Sequence, residues 1–131
     1  MKKDIDIPKV EGVYVAAVKV FNESLNVEEW TAYIVNDKAV DLDMVLIVSK
    51  GALKDKETSL MRHKLDALPA KSYAKIEYLQ DDVLALNNTF KVTFFEGSTM
   101  YDKTFEFKAN TINEKALQDI PVIGVKGVLV K

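Results

Sequence analysis

The chain has 131 residues, 48% of them hydrophobic and 29% charged, with a formal charge of −2 and no cysteine. That length suits one domain spanning residues 1–131, enough to bury a core without covalent staples. Zero cysteine excludes a disulfide scaffold and thiolate chemistry, one histidine (His63) excludes a site of several imidazoles, and 17 lysines against one arginine (Arg62) exclude arginine-rich phosphate recognition.

The opening residues carry acids at Asp4 and Asp6 and lead into no apolar stretch of signal-peptide length. Apolar runs such as Met44 to Val48 are far short of the ~20 residues a membrane helix needs. A soluble, cytoplasmic chain is expected.

Strand-like runs broken by turn residues then follow one another. Val13–Phe21 is rich in β-branched and aromatic residues, and Asn22–Asn26 supplies a loop. Trp30–Val35 stops at Asn36-Asp37-Lys38, residues that tolerate left-handed backbone and bond their own main chain. Leu42–Ser49 is apolar on both faces at its centre, as in a central strand, and ends at Gly51. Lys50–Glu57 reads as a hairpin loop, and Ser59–Leu65 as a less regular strand running on to Leu68 and Pro69. In Ser72–Leu79, alternation sets Ala74, Ile76 and Tyr78 on one face and Lys75 and Glu77 on the other. Asp81–Asn88 is ambiguous between a helical turn and a crossing loop.

Phe90–Phe94 and Tyr101–Phe107, joined through Glu96–Thr99 with its glycine, form the clearest hairpin. Asn110–Ile120 is the best helix candidate: Thr111 or Asn113 can cap it, Glu114 sits in its first turn, and Pro121 ends it. Val122–Val130 supplies a last strand, made less regular by Gly124 and Gly127. Seven or eight strands with one short helix describe an all-β, immunoglobulin-like antiparallel β-sandwich, with a small β-barrel as the alternative.

Candidate chemistry is sparse. His63 shares a face with Met61 and Leu65, which suits a packed imidazole. Ser59 lies four residues back on the same strand, about 13 Å away, too far for a serine–histidine hydrogen bond. Asp41 and Asp43 share a face about 7 Å apart, as a carboxylate pair or simply as the solvated entry to a strand. Residues 36–43 lack the glycine and the spacing of a calcium loop. Lys54, Lys56, Arg62, His63 and Lys64 cluster in sequence, but Asp55, Glu57 and Asp66 are interspersed, so nucleic acid is not an expected partner. Gly124 and Gly127 fit a strand bulge or a close backbone approach better than a phosphate loop. Trp30, Tyr33, Tyr73 and Phe95 would form an apolar partner surface if several of them faced outward.

Met1–Pro8, Ala32–Asp37, Val45–Gly51, Leu68–Ser72, Asn110–Leu117 and Lys126–Val130 together resemble a family of small uncharacterised bacterial proteins, over nearly the whole chain. Some members carry the name phenylalanyl-tRNA synthetase alpha subunit. The resemblance implies a synthetase-related accessory role and assigns no functional residue. Class II synthetase cores hold ATP phosphates with motif arginines; Arg62 lies in no such motif, so amino-acid activation by this chain alone is not expected.

The leading expectation is therefore a non-enzymatic sandwich acting through protein–protein contact or self-association. The alternative is a small-ligand or hydrolytic module with a carboxylate-lined pocket. No catalytic, cofactor-binding or metal-binding residue is assigned, and no cofactor.

Overall fold

The computed structural model describes residues 9–131; the first family-like segment, residues 1–8, lies outside them. The strands are β1 (Val13–Asn22), β2 (Val27–Asn36), β3 (Leu42–Leu53), β4 (Lys56–Glu57), β5 (Met61–Leu68), β6 (Ser72–Leu79), β7 (Asn87–Glu96), β8 (Thr99–Phe107), β9 (Gln118–Asp119) and β10 (Lys126–Val130). Eight of them have five residues or more, in line with the rhythm of the sequence.

Alternation decides how they layer. In β7, Asn88, Phe90, Val92 and Phe94 point inward, and their antiparallel partners in β8 include Phe105 and Phe107. These rings pack edge to face (Phe90 with Phe107) or stack (Phe94 on Tyr101). Facing them, Val13, Val15 and Ala17 of β1 and Trp30, Ala32 and Ile34 of β2 complete one core. Two antiparallel sheets result. One has the order β6-β2-β1-β10-β9; in the other β3 lies between β7 and β5, the short β4 extends the β5 side, and β8 flanks β7. The molecule is an all-β sandwich. The edges β5 and β6 share no backbone ladder, so the barrel alternative is ruled out.

Five local expectations change. The proposed helix over Asn110–Ile120 is a single 3₁₀ turn at Glu114–Ala116, which Asn113 does cap by accepting from the Lys115 N–H. Its two buried anchors explain why. Ile112 enters the core between the sheets, whereas Ile120 lies on the outer face of the first sheet with Ala16, Val18 and Val35. A helix would put residues eight apart within about 80° of each other; reaching opposite faces of one sheet requires an extended strap. The last strand starts only at Lys126, after Val122 and Gly124, both in left-handed backbone.

β3 is central in its sheet, but its outer face is open to solvent at Met44 and Leu46. Left-handed Met44 (φ 49°) lets Leu42 and Val45, three apart, both face the core. The chain from Lys50 is not all loop: β3 continues to Leu53 and turns at Lys54–Asp55. The fifth change, in β6, shapes the site.

Gly127 serves a close approach, as its strand context suggested. A Cβ there would stand 2.7 Å from the Ala17 carbonyl oxygen and 3.2 Å from Ile120 Cγ1.

Candidate functional site

β6 pairs with β2 through Tyr33↔Lys75 and Ala32↔Glu77, which leaves Ile76 as an extra residue, a β-bulge. A bulge moves every later side chain to the other face. Ile76 and Leu79 are accordingly buried, Glu77 turns inward, and Tyr78 faces out. Simple alternation had placed Glu77 with Lys75 on the wet face; the bulge reverses it.

Glu77 thereby enters the seam between the two sheet edges. Its Oε1 accepts hydrogen bonds from Ser49 Oγ at 2.6 Å and from His63 Nε2 at 2.8 Å. Each donor is aimed by its strand. Ser49 follows Val45 and Ile47 on the inner face of β3, and His63 is paired with Ile47 from β5. A carboxylate accepts hydrogen bonds and donates none, so the imidazole proton sits on Nε2. The three side chains clasp β3, β5 and β6 where no backbone ladder joins the sheets. Hydrogen bonds to a charged partner contribute about 1.5–3 kcal/mol each.

Around this clasp lies a cleft of about 570 Å³. Phe90 and Ile76 line its apolar wall, and Met61, Ser59 and Tyr78 lie around it. The 3₁₀ turn at Asp81–Val83 closes one end. Asn88 anchors that turn, its Nδ2 donating to the carbonyls of Val83 and Leu86. Gly51 allows the approach of β3, since a Cβ there would meet Asn88 Oδ1 at 3.0 Å.

The arrangement is not a hydrolase triad. In such a triad the imidazole lies between nucleophile and acid and takes the serine proton. Here the acid lies between, and Ser49 and His63 both end on the same oxygen. The serine hydroxyl is held by Glu77 and is not engaged by imidazole.

The other sequence candidates scatter. Ser59 reaches the cleft wall but makes no bond to His63. Asp41 accepts from the Ala70 N–H at 2.8 Å and pins the β5–β6 turn, while Asp43 is exposed, so the two form no catalytic pair. Lys54 lies in the β3–β4 turn, and His63 points inward between Arg62 and Lys64, so the basic run forms no continuous surface. Trp30 belongs to the core. Tyr33 and Tyr73 meet edge to face (5.8 Å) on the outside of the first sheet, and Phe95 lies outside the second, so the four aromatics make no single patch.

Among the described residues, no group of three or more His, Asp or Glu is placed to hold a metal ion. Within the same residues no helix is long and apolar enough to cross a membrane. Nothing in the sequence singles out Ser49 or Glu77 as site residues. The available signal is Leu79, an apolar residue three positions after Ile76, which breaks strict alternation.

No family model, no curated protein and no solved structure matches the chain.

Proposed function

We propose that this protein is a non-catalytic binding domain that takes a small ligand in the seam between β5 and β6. The observation that carries this reading is the inward turn of Glu77 onto Ser49 and His63 at the wall of a cleft about 570 Å³ in volume. Small-molecule sites typically occupy about 300–1,000 Å³, with apolar walls and a few convergent polar groups. A carboxylate-centred clasp supplies orientation without an activated nucleophile, so binding is favoured over hydrolysis.

We further infer an immunoglobulin-like sandwich. With β1, β2, β3, β5, β6, β7 and β8 taken in order, the first, second and fifth share one sheet and the third, sixth and seventh the other, as in that fold. The fourth pairs with the third, and β9 and β10 extend the first sheet beyond β1. A cytoplasmic setting is supported by the absence of cysteine.

The test is a screen of small polar and charged compounds by amide chemical-shift perturbation. Ligands of this domain shift amides of residues 49–51, 61–63 and 75–83 together and are not turned over. Turnover of a bound ester or amide, lost in Ser49→Ala, would replace binding by hydrolysis.

A second reading rests on the β1–β2 hairpin tip, where Phe21, Leu25 and Val27 are 53%, 65% and 46% exposed. Such a tip favours protein–protein contact. Light scattering of the wild type and Phe21→Asp at high concentration tests its self-association form; a strict monomer in both removes it.

A further inference from the structure

We infer that the ligand of this cleft presents a primary ammonium group on an aliphatic stem, either a free alkylamine or the side chain of a lysine. This rests on the reading of the seam as a binding site and assigns the chemistry of its ligand. Three observations carry it.

The first is the state of the Glu77 carboxylate. Oε1 already accepts two hydrogen bonds, from Ser49 and His63. Oε2 makes no hydrogen bond among the described residues and is not among their buried polar atoms left without a partner, so it keeps access to solvent in a residue that lines the cleft. The free position is an acceptor and calls for a ligand that donates. A guanidinium binds a carboxylate best through both oxygens at once. With Oε1 filled, the remaining geometry is monodentate, which suits the compact point charge of an ammonium.

The second is the charge around the site. The lysines at the cleft are engaged elsewhere: Lys50 Nζ lies 3.2 Å from Glu57, and Lys75 Nζ sits 3.8 Å over the Tyr78 ring on the outward side of the bulge. His63 spends its Nε2 proton on Glu77. The other acid of the cleft, Asp82, is exposed and makes no ion pair among the described residues. An anionic ligand finds no unengaged ammonium here, whereas a cation finds two carboxylates.

The third is the wall. Phe90, Ile76, Met61 and Val83 give the cleft an apolar flank beside Glu77. An alkyl stem lies against that flank while its head reaches Oε2.

The experiment titrates the intact protein by amide chemical shifts with four probes: n-pentylamine, Nα-acetyl-lysine-N-methylamide, n-butylguanidine and n-pentanoate. Both amines are expected to shift residues 49–51, 61–63 and 75–83, and to bind more tightly than the guanidine or the carboxylate. Glu77→Gln keeps the shape and removes the charge, and is expected to weaken amine binding about tenfold or more. Asp82→Asn, at an exposed position that leaves the fold intact, is expected to weaken it about two- to threefold. Tighter binding of the lysine amide identifies a protein side chain as the source; tighter pentylamine identifies a free amine. Preferred binding of pentanoate at these residues, or of the guanidine, overturns the ammonium assignment and leaves the binding site standing. Amine affinity unchanged in both variants also overturns it. Shifts with none of the probes, or only away from the cleft, overturn the assignment and the site together.

Discussion

The two open sides of the sandwich are handled in opposite ways. At the β8 side, Lys103 shares the inner face with its partner Val92, and its Nζ lies 5.1 Å over the Phe105 ring. An inward-pointing charge on an edge strand discourages pairing with another chain. Next to it Phe105 and Phe107 are fully buried, and the strap from Asn110 to Ile120 wraps from the core to the outer face of the first sheet. At the β5–β6 side, by contrast, the inward residues Ser49, His63 and Glu77 are polar and a cleft remains. One side excludes partners by charge and packing, while the other keeps space and unsatisfied acceptor capacity.

That contrast can be broken in several places. The largest effect is expected at the packed side: Phe105→Ala should lower unfolding free energy by about 3–5 kcal/mol in urea titration, through lost burial and a residual cavity. A loss under about 1 kcal/mol would mean that this side is not the packed one. Gly127→Ala should cost about 1–3 kcal/mol, because its new Cβ would stand 2.7 Å from the Ala17 carbonyl oxygen. At the seam, Glu77→Gln should cost about 2 kcal/mol, the difference between charge-assisted and neutral hydrogen bonds summed over its two donors. Lys103→Val should change stability least, within about 0.5 kcal/mol, yet produce concentration-dependent association in sedimentation velocity. A variant that stays monomeric at all concentrations would deny the lysine its guarding role.

The fold was largely legible and the site was not, for one physical reason. The hairpin of Phe90–Phe94 and Tyr101–Phe107 was legible because β7 and β8 run without interruption through their inward positions. In β6 alternation failed at one residue. Ile76 bulges, and every side chain after it changes face. His63 stands out as the lone imidazole, but its own strand offers only the distant Ser59, whereas its partners come from β3 and β6. Capping residues alone also misled over Asn110–Ile120. Asn113 caps one turn, but the burial of Ile112 and Ile120 on opposite faces leaves no apolar stripe for a helix to pack.

The inward turn of Glu77 onto His63 is the feature on which the account depends, and nitrogen NMR of the single imidazole reads it directly. At a pH where the ring is neutral, two-bond ¹H–¹⁵N correlation should show the Nε2–H tautomer, with Glu77→Gln shifting both ring nitrogens. An Nδ1–H tautomer, or a ring indifferent to Glu77→Gln, would contradict it.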